Sequence, residues 1–417
     1  MEHADSSLGP DDLFVLEGLQ SKGEAWIVGG WVREFISGGG ETDLDIATTL
    51  HPEEVKAIFP RSLMVGARFG TVAVRLEEGR ASGKIWEVTT LRSDGSYGDG
   101  RRPDNVEFGT DITEDLSRRD FTINSMALEF PYNEDSLIDP FNGRKDLLEG
   151  VLVSVGDPQD RISEDGLRIL RAFRFMNGGK NGVREMGDSL ESAISSSLGM
   201  LEMVSKERVC SELSIILSGD WTNEIVSKME ELGVLKAISG NLMEKSECPL
   251  GSNLEVNLAL LCRKFEGDGG QLRKILRKEL MLSNSILDEV GFLHECKEES
   301  LETNASYLRR FAIALPEMRK KNVLDYLGTL GQDVVIFSKA LKEVGEPRYG
   351  ASPIVDGNEL SRETGLPPGP RLGMLKGWLY RRQVEDDLTT FDEVISLLDN
   401  LNWENSEPTD WGKLEWP

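Results

Sequence analysis

Segments typical of strands are confined to the first third of this chain, and this asymmetry restricts its fold more than any other feature. Short stretches rich in β-branched residues occur at EAWIVGG (24–30), TDLDIATT (42–49), GTVAVRLE (70–77) and KIWEVTTLR (84–92), as in strands. From about residue 143 onward, apolar residues recur at spacings of three and four, as in helices that bury one face. The pattern predicts an α+β head followed by a helical remainder.

Composition excludes several classes of function. The 417 residues carry a net charge of −26, which argues against broad nonspecific binding to nucleic acid because affinity for phosphate comes from Lys and Arg. The four cysteines form no CxxC pair, and the three histidines form no HD or HExxH motif, so any catalytic metal is expected to be held by oxygen. No membrane span or signal peptide is apparent, which predicts a cytoplasmic protein of undetermined oligomeric state.

The stretch TDLDIATT carries two carboxylates on alternate residues. On a strand, Asp43 and Asp45 would project from one face while Leu44 and Ile46 point to the other. Two like charges this close repel each other unless a cation lies between them, and Mg²⁺ prefers such hard oxygen ligands. A solvated strand end is the alternative interpretation of an isolated DxD.

Features on either side of this motif favour a metal site. Gly29 and Gly30 follow an apolar strand and precede WVREFI, so N–H groups at a helix start could face a triphosphate, with Arg33 nearby. Glu87 lies in a second strand, where it could join the metal site or orient an attacking hydroxyl. A tight turn and an exposed strand face are the plain alternatives for each feature alone. Together they predict a nucleotidyl-transfer site.

A set of motifs resembles those of a known family. GGxVR with the following DxD, then EVTTLR, RRDFTINSMAL (118–128), DPFNGRKDL (139–147) and RISEDGLRILRAFRF (161–175) stand in the order found in class II tRNA nucleotidyltransferases and their bacterial poly(A) polymerase relatives. The resemblance implies a polymerase-β-like head with a mixed sheet at 1–142. It further implies a helical neck with a nucleotide-selecting helix (143–205), a helical body (206–335) and a helical, tRNA-contacting tail (336–417).

The resemblance also implies roles for individual residues. Asp43 and Asp45 would be the metal ligands, and Glu87, predicted from its position in the strand, is the third catalytic carboxylate. Two residues depart from the family pattern, because Glu34 stands where Asp is usual and Gly166 where Pro is frequent. The nucleotide-binding residues implied by the motifs are Gly29, Gly30, Arg33, Arg119, Asp120, Asn124, Asp165, Arg168, Arg171 and Arg174.

The segment SEDGLRILRAFRFM predicts a helix with Ser163 as its N-cap. On that helix Asp165 and Arg168, three residues apart, would lie side by side and offer an acceptor beside a donor. Cytosine and adenine present an amine donor beside a ring-nitrogen acceptor, whereas uracil and guanine present the reverse. The pair would therefore select CTP and ATP, although an ordinary surface salt bridge is the alternative. The expected buried stripe is Ile169, Ala172, Phe173 and Met176.

The function implied by the resemblance is addition of C, C and A to the tRNA 3′ end from CTP and ATP, with release of pyrophosphate. The segment 92–108 resembles a flexible loop of complete CCA-adding and A-adding enzymes, and 65–74 resembles the tRNA enzymes more than the poly(A) polymerases. An A-adding enzyme and a poly(A) polymerase remain alternatives. An alternative of another class is a catalytically silent RNA-binding protein.

The partners expected are the 3′ end and acceptor stem of tRNA. In IVDGNELSRETGLPPGPRLGMLKGWL (354–379), a Gly-Pro turn precedes a helix and could present backbone N–H groups to phosphate. Arg371 and Lys376 would add positive charge there. A simple helix–turn–helix connection fits the segment equally well.

Overall fold

The chain divides into two units in the computed structural model, which describes residues 8–38, 43–64, 70–76, 83–93, 107–245 and 247–417. One unit comprises Met1–Asn241 with Glu279–Met281, and the other comprises Leu242–Lys278 with Leu282–Pro417. The finer division into head, neck, body and tail stays a prediction. Residues 94–106 of the predicted loop (92–108), residues 65–69 of the segment 65–74, and glycines 39 and 40 lie outside the described residues.

The strands all belong to the first unit. They are β1 (Ala25–Val28), β2 (Asp45–Thr48), β3 (Thr71–Val74), β4 (Trp86–Thr90), β5 (Arg92–Ser93), β6 (Glu107–Phe108), β7 (Ala127–Leu128), β8 (Leu137–Ile138), β9 (Val151–Leu152) and β10 (Glu185–Met186). Within the described residues, six of them form one sheet in the order β3-β4-β2-β1-β7-β8. Strand β2 runs parallel to β4 and the other neighbours are antiparallel. The predicted mixed sheet in an α+β head is confirmed.

The helices of the first unit at first alternate along the chain with the strands of the six-stranded sheet. Later helices follow with no further strand of that sheet between them. They are α1 (Pro10–Gln20), α2 (Gly30–Ser37), α3 (Pro52–Ile58), α4 (Ile112–Ser117), α5 (Gly143–Glu149), α6 (Pro158–Glu164), α7 (Leu167–Met176), α8 (Asp188–Ser196), α9 (Lys206–Leu217), α10 (Thr222–Glu231) and α11 (Val234–Ser239). Proline opens α1, α3 and α6, where its missing N–H costs no helical hydrogen bond. Short 3₁₀ turns lie at Thr122–Asn124, Glu134–Ser136, Gly179–Asn181 and Leu198–Met203.

The core of the head lies on the sheet. All four residues of β1 are buried, as expected for a strand with neighbours on both edges. Helix α4 closes one face, and helix α7 packs against α9 farther along the chain. The four residues predicted as the buried stripe of α7 are indeed buried. The cluster that fills one side of the head comprises Trp26, Val28, Ala47, Leu91, Ile112, Leu116 and Ala127.

The second unit is helical throughout its described residues. Its helices are α12 (Leu254–Leu261), α13 (Gly269–Leu280, whose last two residues belong to the first unit), α14 (Asn284–Glu295), α15 (Ala305–Ala314), α16 (Glu317–Thr329), α17 (Val334–Val344), α18 (Gly357–Thr364), α19 (Pro370–Asp386) and α20 (Phe391–Ile395), with 3₁₀ turns at Cys296–Glu298, Ser396–Asn400 and Pro408–Asp410. Apolar residues of α18, α19 and α20 form one core with Trp411. Near the C-terminus, the ring of Trp416 packs against Phe292, Tyr307 and Phe311.

A buried carboxylate ties the first helix to the sheet. Asp12 of α1 accepts hydrogen bonds at Oδ1 from the indole N–H of Trp86 (2.6 Å) and from Lys84 Nζ (2.6 Å). Its Oδ2 accepts from the backbone N–H of Gly9 (3.0 Å). Trp86 is fully buried, so Asp12 supplies the acceptor that its indole N–H needs.

Replacing Asp12 therefore tests how α1 is held. Asp12→Ala leaves the buried Trp86 N–H without its acceptor and is expected to lower the free energy of unfolding by about 2 kcal/mol. Asp12→Asn keeps an acceptor oxygen and should cost clearly less. Urea unfolding followed by tryptophan fluorescence measures both, and equal losses would show that the lost charge matters more than the hydrogen bond.

Candidate active site

A row of side chains across the sheet brings two carboxylates together. Val28 of β1 pairs with Asp45 of β2, and Asp45 pairs with Glu87 of β4. Directly paired residues of neighbouring strands project from the same face, so the Asp45 and Glu87 carboxylates are adjacent. Burial, together with the charge of Glu87, raises the pKa of Asp45 to about 6. The sheet thus concentrates negative charge at one point.

The position of Asp43 differs from the prediction. Strand β2 begins at Asp45, so Asp43 lies just before the strand and is exposed, with Leu44 buried between the two acids. The expected alternation on one strand is therefore incomplete. Both residues nevertheless line the same cleft.

The turn formed by Gly29 and Gly30 lies directly against Asp45. Gly29 ends the loop after β1 with a φ of +73°, and Gly30 is the first residue of α2. A Cβ atom on Gly29 would stand 3.0 Å from Asp45 Oδ2 and 3.6 Å from Arg119 Nη1. Both the positive φ and the close approach require glycine here. The N-terminus of α2 is thereby held beside the carboxylates.

A cleft of about 900 Å³ unites the predicted residues. Every residue that the sequence assigned to catalysis or nucleotide binding lines it, which places residues from 29 to 174 around one cavity. Their roles stay predictions. The lining is Gly29, Gly30, Arg33, Asp43, Asp45, Glu87, Arg119, Asp120, Asn124, Asp165, Arg168, Arg171 and Arg174, with Gly83, Lys84, Ile85, Arg118 and Phe175 in addition.

The added lining residues were missed for identifiable reasons. Arg118 adjoins Arg119 in RRD, and Phe175 adjoins Arg174 in RAFRF, so both were within reach of the motifs. Lys84 precedes β4 with no motif around it. Only the sheet register brings Lys84 to the cleft, and no local signal predicts it.

A chain of hydrogen bonds links α2 to α7 at the bottom of the site. Arg33 Nη1 donates to Asn124 Oδ1 (2.6 Å), and Asn124 Nδ2 donates to Asp120 Oδ1 (3.1 Å). Arg171 Nε donates to Asp120 Oδ2 (2.6 Å). Burial alone would raise the pKa of Asp120, but Arg171 and the Asn124 amide outweigh it and lower that pKa. Asp120 is therefore a buried anion that orients groups on both elements.

The predicted helix with Ser163 as its N-cap and with Asp165 and Arg168 both on it is wrong. Helix α6 ends at Glu164 and α7 begins at Leu167, so Ser163 lies inside α6 and Asp165 is the C-cap between the helices. The Asp165 carboxylate accepts hydrogen bonds from Nη1 and Nη2 of Arg208 (3.2 and 2.7 Å).

Arg168 instead faces α6 and the loop after α4. Its Nη1 donates to Glu164 Oε2 (2.6 Å), and its Nη2 donates to the backbone oxygen of Arg118 (3.0 Å). The backbones are close at this break, because a Cβ on Gly166 would stand 2.4 Å from the backbone oxygen of Met200. At the position where proline is frequent in the family, this chain has Gly166 and a close contact between two backbone segments.

A second cavity of about 380 Å³ meets the first at the carboxylates. The two cavities share Asp45, Glu87, Arg118 and Arg119, and the smaller one continues to Thr89 and Arg92. Two cavities of different size therefore both border Asp45 and Glu87.

The donor set fits magnesium. Within the described residues, no group of three or more His, Cys, Asp or Glu side chains forms a ready-made metal site. Mg²⁺ is typically held by one or two carboxylates and completes its shell with water and substrate phosphates. Asp43 and Asp45 supply two such oxygens, and the crowding of Asp45 against Glu87 would be relieved by a cation.

The second unit gives Arg371 a role that differs from the prediction. Its Nη2 donates to the backbone oxygens of Trp403, Glu404 (3.2 Å) and Ser406 (3.0 Å), and its guanidinium lies 5.2 Å from the centre of the Trp411 ring. Arg371 therefore anchors the C-terminal segment, and its contact with RNA stays a prediction. Lys376 lies half-buried in α19, and its contact with RNA stays a prediction.

Comparison with known proteins identifies the family. Residues 25–153 match the Poly A polymerase head domain. The CCA-adding enzyme of Lactococcus lactis subsp. cremoris (strain MG1363) is 31% identical over 92% of this chain and 94% of that protein. The chain belongs to the CCA-adding enzyme family. The family member from Geobacillus kaustophilus is 36% identical, over 64% of this chain and 65% of its own length.

Solved structures of the family show the same fold. The Bacillus stearothermophilus CCA-adding enzyme in complex with CTP superposes with a TM-score of 0.76 at 26% identity, over 94% of this chain and 98% of that one. The Thermotoga maritima CCA-adding enzyme complexed with tRNA gives 0.68 at 21% identity, over 96% and 98%. In the described part of this chain, no helix is long and apolar enough to cross a membrane.

The contact between Gly29 and Asp45 gives a matched pair of variants. Gly29 and Gly38 both have positive φ, but a Cβ on Gly38 would meet no atom within 4 Å. Each alanine variant should therefore cost about 1 to 2 kcal/mol of backbone strain, whereas only Gly29→Ala displaces Asp45. We expect Gly29→Ala to abolish the nucleotide transfer predicted from the sequence and Gly38→Ala to retain it. Equal activities at equal melting temperatures would refute the role of the contact.

Proposed function

We propose that the protein is a magnesium-dependent tRNA nucleotidyltransferase that adds C, C and A to the tRNA 3′ end from CTP and ATP without a nucleic-acid template. The observation that carries the proposal is the adjacent pair Asp45 and Glu87 at the junction of two cavities. Transfer of a nucleotide needs two substrates at one reactive centre, and this junction offers a place to each. Membership of the CCA-adding enzyme family supports the substrate assignment.

The two cavities suit the two substrates. The larger cleft, lined by several arginines, would take the nucleoside triphosphate, because guanidinium groups pair well with phosphate. The smaller cavity would take the terminal nucleotide of the tRNA. An in-line displacement needs the attacking hydroxyl and the departing pyrophosphate on opposite sides of the phosphorus.

The reaction forms one bond and breaks another. The tRNA 3′-hydroxyl oxygen attacks the α-phosphorus, the bond to the bridging oxygen breaks, and pyrophosphate leaves. Magnesium bound by Asp43 and Asp45 would neutralise charge on the phosphates. Glu87, on the neighbouring strand, would accept a hydrogen bond from the hydroxyl and orient it. Gly29 and Gly30 would present backbone N–H groups to the triphosphate.

Selection of C and A would use residues that the protein already holds in place. A carboxylate offers roughly four lone-pair sites, and Asp165 uses three of its own for Arg208 and the backbone N–H of Leu167. Arg168 has further N–H donors beyond its two anchored nitrogens. Asp165 could thus accept a hydrogen bond from the exocyclic amine of the base while Arg168 donates one to a ring nitrogen. Each side chain would meanwhile stay held by its own protein partners.

The alternatives differ in product. An A-adding enzyme extends only tRNA that ends in CC, and a poly(A) polymerase makes long A tails. A catalytically silent RNA-binding protein would bind tRNA without extending it. The location in the cytoplasm stays a prediction from the sequence, as does contact with the tRNA acceptor stem.

Extension of three tRNA transcripts tests the proposal. Transcripts that end before CCA, after C and after CC are incubated with Mg²⁺ and CTP, ATP or both, and the products are resolved at single-nucleotide length. Stepwise growth to CCA followed by a stop is expected. Extension of only the CC transcript, long A tails, or binding without extension would each replace the proposal by the corresponding alternative.

The assigned metal ligands are tested in the same assay. Asp43→Ala should lower incorporation roughly 100-fold or more, because metal-assisted charge neutralisation supplies several kcal/mol of the transition-state stabilisation. Glu53 is an exposed acid in α3 outside the cleft, so Glu53→Ala serves as the control and should retain full activity. Unchanged activity of Asp43→Ala would overturn the metal assignment.

Arg168→Ala tests nucleotide choice. Loss of the donor should reduce discrimination against UTP and GTP about tenfold, with little change in tRNA binding measured by filter retention. Arg161 also contacts Glu164 (2.9 Å) but does not line the cleft, so Arg161→Ala controls for the loss of that ion pair. Equal loss of discrimination and of tRNA binding in Arg168→Ala would contradict the selecting role.

A further inference from the structure

Three guanidinium groups surround one phenyl ring inside the cleft. Phe175 lies near the C-terminal end of α7 and is 8% exposed. The centre of its ring is 5.3 Å from the guanidinium carbon of Arg33 and 5.2 Å from those of Arg171 and Arg174. All of these distances are within the range of a cation–π interaction. A single ring therefore contacts cations from two helices, α2 and α7.

Each of these arginines also has a carboxylate partner. Arg33 pairs with Glu34 (3.3 Å) and Arg171 with Asp120 (2.6 Å). Arg174 pairs with Glu212 of α9 (3.3 Å). Arg171 also lies 3.8 Å from Glu212, so Arg171 and Arg174 share that carboxylate, whereas Arg33 has a different one. Phe175 is the group that all three arginines share.

The cations are close enough to disturb one another. Burial lowers the pKa of Arg33, and the neighbouring charge of Arg174 acts in the same direction against the contribution of Glu34. Like charges at this distance would move apart if nothing attracted them to a common centre. The negative face of an aromatic ring provides such an attraction without adding a competing anion.

We propose that Phe175 is a positioning residue that holds Arg33, Arg171 and Arg174 together as a seat for the polyphosphate chain of the nucleotide substrate. The inference rests on the proposed function for the identity of that substrate. Guanidinium groups bind phosphate oxygens through paired N–H donors. Three of them converging on one cleft match a chain of phosphates better than they match a base or a ribose.

Stacking of a nucleobase on Phe175 fits the structure less well. The ring is almost completely buried, and Phe121 already contacts it in an edge-on arrangement at 5.7 Å. Three guanidinium groups occupy much of what is left around it. Phe175 thus acts through the arginines.

Fluorination of the ring tests this role without changing its shape. Phe175 is replaced by mono-, di- and trifluorophenylalanine, which progressively weaken the negative face of the ring. Calorimetric titration with inorganic tripolyphosphate directly measures the affinity of the three arginines for a polyphosphate chain. We expect affinity to fall stepwise, reaching about fivefold weaker in the trifluoro variant. The KM for CTP and for ATP should rise by the same factor, with the KM for tRNA unchanged.

Phe121 provides the matched control. It is a buried phenylalanine in contact with Phe175, and among the described residues no guanidinium is placed over its ring. The same fluorinated series at Phe121 should leave tripolyphosphate affinity unchanged. Phe175→Leu, which keeps apolar volume but removes the ring, should bind tripolyphosphate at least as weakly as the trifluoro variant.

The outcomes separate this inference from the proposed function. Fluorinated Phe175 variants that bind tripolyphosphate as tightly as the unmodified protein would overturn the inference, whatever the catalytic result. An equal response of the Phe121 series would also overturn it, because it would indicate a general packing effect. The third outcome is a stepwise loss of tripolyphosphate affinity in the fluorinated Phe175 series of a protein that does not extend tRNA. That result would support the polyphosphate seat and reject only the proposed activity.

Discussion

Repulsion between Asp45 and Glu87 is the constraint on which the rest of the site depends. The parallel pairing of β2 with β4 fixes the two acids as neighbours, so the strands cannot relieve the repulsion by moving apart without losing their register. Positive groups therefore gather around them, with Arg119 close to Asp45 and the start of α2 against it. The same unsatisfied charge makes the position suitable for a divalent cation.

The arginines of the cleft are supported by an inner layer of anions. Asp120 and Glu212 are buried and each contacts guanidinium groups on α7. A buried charge is tolerated when it is paired and hydrogen-bonded, so these acids allow a dense group of cations to persist in a protein whose net charge is −26. The overall acidity thus gives a poor description of the site, where arginines and acids line the same cavity.

Sequence patterns predicted the fold and the membership of the cleft well. Strands β1 to β4 lie within the four segments expected from β-branched content, because alternation of buried and exposed residues is a local property. The motif residues from Gly29 to Arg174 line one cavity. Contacts between distant elements were not predictable in the same way. The bidentate pairing of Arg208 with Asp165 depends on how α9 packs beside α7, and the engagement of Arg371 by the C-terminal backbone depends on where that segment folds back.

The close approach of Gly166 to Met200 has a consequence for how variants of this protein are interpreted. The absent Cβ of Gly166 leaves room for the carbonyl of Met200 in the 3₁₀ turn at Leu198–Met203, and Gly166 lies between Asp165 and the start of α7, which carries Arg168. A side chain introduced at Gly166, or a shift of the turn that contains Met200, would move Asp165 and Arg168, the two residues proposed to select the nucleotide, without touching a nucleotide. If Asp165 and Arg168 select the nucleotide as proposed, a change at Met200, more than thirty positions along the chain from either residue, would alter fidelity.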